Sequence, residues 1–139
     1  DRLMQALLDR SFPADTAVLA EVRGAVRDAC RQAGASEECA EAVVLAANEA
    51  CMNILQHGYG FAAGQTFCVR LHVHDGALVV RFLDHGRPVS ASDLRPRELD
   101  DLRPGGLGVH FMREVMDRVE CLPPPEGFTN LLQLTKRMD

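Results

Sequence analysis

Two runs rich in β-branched and apolar residues, Thr66 to His74 and Ala77 to Leu83, stand on either side of Asp75-Gly76. An Asp-Gly pair is favoured chemistry for a tight hairpin, because both central positions of the turn need positive φ. The two runs are therefore expected to pair antiparallel. A hairpin alone is marginal in water, so it requires further strands and a covering layer. That layer is legible upstream: Val18, Leu19, Val22, Val26, Ala29 and Cys30 recur at helical spacing before Gly34, predicting a helix over about 15–33. Ser36, followed by Glu38 and Glu41, opens a second helix through Val43, Val44, Ala47, Cys51 and Ile54 to Gly58. Leu3 to Phe12, ending at Pro13, fits a first strand or a short helix by periodicity, and the strand is the reading taken. A third helix is expected from Leu107 to Val119, then a strand Val119 to Leu122, a turn Pro123 to Gly127, and an alternating strand Thr129 to Arg137. Hairpin-joined strands with the helices gathered on one face give a two-layer α/β sandwich over a mixed, mostly antiparallel sheet.

A chain of 139 residues suits one domain, and 47% apolar with 25% charged residues is the balance of a folded globular chain. The domain is taken as 1–139; because it starts at Asp1 rather than Met, one expectation is a piece of a longer protein. The net charge of −5, with no basic run, offers a nucleic-acid backbone no attractive field. Of the fifteen basic residues only Lys136 is lysine, so a Walker A loop, which needs a lysine on the phosphates, is excluded. The five cysteines are scattered without CxxC spacing and read as reduced core residues, pointing to the cytoplasm. No apolar run reaches the length of a membrane span.

On the second helix Glu49, Asn53 and His57 fall at i, i+4 and i+8, stacking a carboxylate, an amide and an imidazole on one stripe amid apolar neighbours. Asn53 offers the hard oxygen that magnesium takes, and Glu49 a base for a hydroxyl proton. Asp84-His85-Gly86 ends the second hairpin strand, placing a carboxylate acceptor beside a glycine that admits a flat ligand. Gly86 to Gly108 holds Pro88, Pro96 and Pro104 and reads as a long loop with one short helix near Ala91 to Leu94; loops of this length in compact domains are usually functional. It ends in Gly105-Gly106-Leu107-Gly108, glycines before a helix that can cradle phosphate. Each of these features alone is as well explained by a solvated helix face, a plain turn or a hinge. His72 and His74 share a strand face, but lack the third ligand a metal would need.

Taken together and in order, Asn48-Glu49-Ala50-Cys51-Met52-Asn53-Ile54-Leu55-Gln56-His57-Gly58-Tyr59, Asp84-His85-Gly86-Arg87-Pro88 and Gly105-Gly106-Leu107-Gly108-Val109-His110-Phe111 resemble the N-box and two glycine boxes of the GHKL ATPases. Within that group the chain is most similar to the anti-sigma-factor serine/threonine kinases, from about Ser11 to Arg137. The resemblance implies the Bergerat ATP-binding fold, with ATP and magnesium as cofactors. It also implies Glu49 as general base, Asn53 as magnesium ligand, and Asp84 as adenine contact with Gly86 beside it. Gly106 and Gly108 would belong to a phosphate cradle and a lid over about 87–108, with His57, Leu107 and Val109 completing the nucleotide set. The family's closing strand usually begins Gly-Thr; here Gly127-Phe128-Thr129-Asn130 leaves Thr129 and Asn130 as alternatives on the adenine side, and Thr129 is the one assigned.

The partners so implied are a STAS-domain anti-sigma-factor antagonist as phosphoacceptor and a sigma factor, with a homodimer as the assembly common in that family. Family members often carry Arg shortly before the second glycine box, where this chain has Pro104 and, one residue earlier, Arg103. That departure favours the rival reading of a non-catalytic ATP-binding regulatory module. A further rival is the ATP-binding domain of a sensor histidine kinase or of a fused phosphatase-regulator protein.

Overall fold

The computed structural model describes residues 6–88 and 108–138. The elements run β1 (Ala6–Pro13), a 3-10 turn (Thr16–Val18), α1 (Leu19–Gln32), α2 (Glu37–Asn53) and a π-helical turn (Ile54–Gly58). They continue with β2 (Thr66–His74), β3 (Ala77–Asp84), α3 (Gly108–Val115), β4 (Arg118–Leu122) and β5 (Asn130–Arg137). The five strands form one sheet in the order β1-β2-β3-β5-β4, with every neighbouring pair antiparallel. The expected hairpin is present: Asp75 and Gly76 both adopt positive φ, 51° and 75°, and His74 faces Ala77 across the turn.

Alternation along the strands separates two faces. Phe12, Phe67, Val69, Leu71, Leu78, Val80, Phe82 and Leu134 point to the helical side and join Val22, Val26, Val43, Ala47 and Cys51 in one core. Phe12 and Phe67, cross-strand partners, stack with ring centroids 5.9 Å apart. The opposite face carries a polar band in which Arg70 bonds Asp9 at 3.1 Å and Arg81 bonds Gln133 at 2.7 Å. That contrast fixes the register, since a one-residue slip would bury the band and expose the core. Helix α2 packs against α1, α3 and the central strands.

Two boundaries differ from expectation. The third helix stops at Val115, and Val119 lies in β4 opposite Leu134. Met116 makes the last backward bond, to Met112 O; Asp117 N then donates to Thr135 O at 2.9 Å, so the chain has crossed to the sheet. Pairing with β5 satisfies backbone groups that a longer helix would have satisfied internally, and Val119 reaches the core by strand alternation instead. The first helix begins as a 3-10 turn because Asp15 accepts a bond from Ala17 N, pinning a tight start. The short helix expected near Ala91 to Leu94, and most of the expected lid, lie outside the described residues. Among the described residues, no helix is long and apolar enough to cross a membrane.

Candidate functional site

Ser36 starts α2 as its sequence suggests, its hydroxyl oxygen accepting from Cys39 N at 3.1 Å. The helix runs through Asn53 and then widens: Tyr59 N donates to Ile54 O, five residues back, at 2.9 Å. Glu49 and Asn53 thus stand one α-turn apart on one stripe as expected, and half-buried His57 follows on π-wound backbone. Such widened turns occur mostly singly inside α-helices and often mark functional sites, because they re-aim side chains without ending the helix.

The widened turn lies directly against the end of β3. Gly58 O accepts from Arg87 N at 2.9 Å. A Cβ built on Gly86 would fall 2.6 Å from Gly58 O and 2.9 Å from Gly58 Cα, which no side chain tolerates. Gly58 itself lies 4.0 Å, measured from an added Cβ, from Asp84 Oδ1. The glycine after Asp84 therefore serves close backbone approach between the second helix and the strand end, joining the first two sequence motifs into one place. Tyr59 reinforces the joint: its hydroxyl donates to Thr66 O at 2.6 Å and accepts from His85 N at 2.7 Å. Burial raises this phenol above its ordinary pKa, so the hydroxyl keeps the proton it donates.

Asp84 is 5% exposed. Its Oδ1 accepts from Gly86 N at 2.8 Å and from Asn130 Nδ2 at 2.9 Å. Its Oδ2 has no hydrogen-bond partner among the described residues. Thr129 closes the corner, its hydroxyl donating to Gly86 O at 2.7 Å and its N–H to Asp84 O at 2.9 Å. Of the two alternatives on the adenine side, Asn130 is the one bonded to the Asp84 carboxylate, and Thr129 holds the backbone around it. His85 stacks on Phe128 at the rim, centroids 4.8 Å apart.

At the other end of the site, half-buried Glu49 makes no hydrogen bond or ion pair among the described residues, leaving its oxygens open to a proton donor. The preceding Asn48 is fixed by Arg23 Nη1 from α1 at 2.9 Å. Asn53 Oδ1 and Gln56 Oε1 are both buried without a hydrogen-bond partner among the described residues. An orphaned buried acceptor costs about 1–3 kcal/mol, so each oxygen is suited to a donor or a cation that arrives with the ligand. Magnesium takes few protein ligands, all hard oxygens, and completes its shell with phosphates and water, so a neutral amide oxygen on this turn is a ligand of the right kind. The residues present fit that ion.

Of the remaining expected contacts, Gly106 and Leu107 lie outside the described residues. Gly108 and Val109 open α3, and nothing further is described of their side chains. Sequence reasoning missed the roles of Tyr59 and Gly58, whose partners are set by tertiary contacts, and assigned Thr129 where Asn130 is the residue bonded to Asp84. Cys30, Cys39 and Cys51 are buried thiols, with Cys30 pushed up to about 12 chiefly by burial, which makes it a core side chain and not a nucleophile. A separate cavity of about 260 Å³ lies away from this corner, between the start of α2 and the end of β5, lined by Ser36, Glu38, Cys39, Lys136 and Arg137.

Known proteins resemble the chain in sequence and in fold. The serine-protein kinase RsbW of Bacillus pumilus is 29% identical over 124 residues, covering 82% of this chain and 76% of that one. The serine-protein kinase RsbW of Halalkalibacterium halodurans is 25% identical over 121 residues, covering 81% and 74%. Among solved structures, the SiaB–SiaC complex of Pseudomonas aeruginosa matches with a TM-score of 0.64 at 15% identity over 97% of this chain and 92% of that one. A Mycobacterium tuberculosis protein with RsbU and RsbW domains matches with a TM-score of 0.62 at 18% identity over 94% of this chain, which spans 31% of that longer one. Both structural matches carry the fold. The family model described as "Histidine kinase-like ATPase domain" matches residues 12–136, nearly the whole chain, and with the helix turn and strand end meeting as they do, the chain belongs to that family of ATP-binding domains.

Proposed function

We propose that the chain is an ATP-dependent protein serine/threonine kinase that phosphorylates a regulatory partner protein. The observation that carries this reading is the junction of Gly58 with Gly86 and Arg87. Among the described residues, it leaves an open carboxylate oxygen on Asp84 to one side and the unpartnered Asn53 carbonyl, with Glu49 one turn before it, to the other. Adenine would present its exocyclic amine to Asp84 Oδ2, with Gly86 giving the flat ring access to the backbone. Asn53 Oδ1, with Gln56 Oε1 nearby in sequence, would hold magnesium. Bound there, the ion would neutralise phosphate charge and orient the γ-phosphoryl group.

The chain's own part in transfer is positioning and one proton. The Ser or Thr hydroxyl oxygen of the partner attacks the γ-phosphorus, the bond to the ADP β-phosphate oxygen breaks, and Glu49 accepts the hydroxyl proton. A buried carboxylate already paired to Arg could not do this; Glu49 is half-buried and unpaired among the described residues. The partner class that the sequence resemblance implies is a STAS-type anti-sigma-factor antagonist, and the similarity to proteins named serine-protein kinase supports serine as the acceptor. A sigma factor as second partner, a homodimer and a cytoplasmic setting complete the proposal.

The test is transfer of labelled γ-phosphate from ATP to a purified STAS-domain partner, followed by phosphoserine mapping. Stable phosphoserine on the partner is expected. ATP-dependent binding of the partner without phosphoprotein would instead establish a regulatory module.

Removing the proposed metal ligand separates binding from metal use. Asn53→Ala should weaken magnesium-supported ATP binding by roughly 10- to 100-fold while changing metal-free ATP binding less than threefold. Calorimetric titration with and without magnesium checks this. Equal losses in both conditions would assign Asn53 to the nucleotide or to the fold, and not to the ion.

A further inference from the structure

Asn130 pairs directly with Asp84 across β3 and β5, so both side chains point to the helical face at adjacent positions. It is 7% exposed, burial that an amide accepts only when its polar atoms are bonded. Its Nδ2 donates to the base-binding corner twice, to Asp84 Oδ1 at 2.9 Å and to Arg87 O at 2.8 Å. The two Nδ2 hydrogens are thereby committed, and this nitrogen has no donor left for a purine ring. Gly86 N supplies the second bond to Oδ1, at 2.8 Å.

From this geometry we propose that Asn130 is the positioning residue of the base site. It holds Asp84 Oδ1 so that Oδ2 alone faces the ligand as an acceptor, and it pins the Arg87 carbonyl so that the Gly86 backbone stays clear of the ring plane. Selectivity for a 6-aminopurine then depends on Asn130 although Asn130 does not itself contact the amine. A carboxylate held by one amide bond fewer can rotate about its Cα–Cβ and Cβ–Cγ bonds and present either oxygen, or neither, to the amine. This rests on the reading of Asp84 as the base contact given above.

The experiment is calorimetric titration of the whole chain with ATP and with purine riboside triphosphate, which lacks the exocyclic amine. The parent is expected to prefer ATP by roughly 10- to 100-fold, the range of one charge-assisted hydrogen bond. In Asn130→Leu, similar in size but without donors, that preference should shrink to less than about threefold, with affinity for the amine-free nucleotide within about threefold of the parent. Asn130→Ala, also without a donor, should shrink it at least as far, and it keeps the test open if the leucine variant fails to fold. Asn130→Ser, whose hydroxyl can donate one bond, should restore part of the preference. Retention of the parental preference in a folded Asn130→Leu or Asn130→Ala protein overturns the inference while leaving Asp84 in place. Equal loss of both nucleotides also overturns it, by reducing Asn130 to a structural support. A parent that does not distinguish the two nucleotides removes the Asp84 reading itself, and the inference with it.

Discussion

Glu49→Gln is expected to slow phosphoryl transfer to the partner by roughly 10²- to 10⁴-fold, the usual contribution of a positioned general base. The amide preserves size, helix propensity and hydrogen-bonding capacity, so the α2 stripe shared with Asn53 should stay intact. Only the ability to take a proton is lost. Because Glu49 makes no hydrogen bond or ion pair among the described residues, its replacement leaves no partner unsatisfied there and should cost little stability. Affinity for ATP should remain within about twofold of the parent, since the proposed nucleotide contacts come from Asn53 and Asp84. Single-turnover transfer and calorimetry on the same preparation measure both quantities. Parental transfer rates in Glu49→Gln would remove Glu49 from the chemistry.

The second large effect is expected at Gly86. Its added Cβ would meet Gly58 O at 2.6 Å, Gly58 C at 2.7 Å and Gly58 Cα at 2.9 Å, all backbone atoms that cannot swing aside as the tip of a side chain could. Gly86→Ala must therefore push the widened turn away from the strand end, breaking the bond from Arg87 N to Gly58 O and disturbing the Asp84 corner. Overpacking of this kind costs about 1–3 kcal/mol in stability. ATP affinity should fall by at least tenfold, because both ends of the site are displaced relative to each other. Gly24, inside α1 with nothing within 4 Å of an added Cβ, is the control. There alanine should leave ATP binding unchanged and stabilise by about 0.5–1 kcal/mol through better helix propensity. Chemical denaturation and calorimetry on the two variants distinguish the steric effect from a general cost of replacing glycine.

What could be read from the sequence was chemistry acting over short range. Asp75-Gly76 announces its own hairpin, Ser36 caps its own helix, and the helical spacing of Val22, Val26, Ala29 and Cys30 states which face of α1 is buried. Glu49, Asn53 and Asp84 could be picked out because carboxylates and amides are conspicuous among apolar neighbours. The widened turn after Asn53 could not, since a bond shifted from four to five residues back leaves no compositional trace. Val119 fits helical spacing and strand alternation equally well; pairing with β5 decided between them. The work of Tyr59 and Asn130 depends on which backbone atoms the fold delivers to them. Cross-strand register put Asn130 beside Asp84, and close approach of two glycines put Tyr59 beside His85.

The claim beneath all of this is that ATP sits where the end of the second helix meets the end of β3. Backbone amide shifts recorded while magnesium-ATP is titrated into the isotope-labelled chain report on that claim residue by residue. The largest changes are predicted at Asn53, Gly58, His85, Gly86, Arg87 and Asn130, saturating together with one affinity. Changes confined to Ser36, Cys39, Lys136 and Arg137, around the separate cavity at the far end of β5, or no saturable change at all, would contradict it.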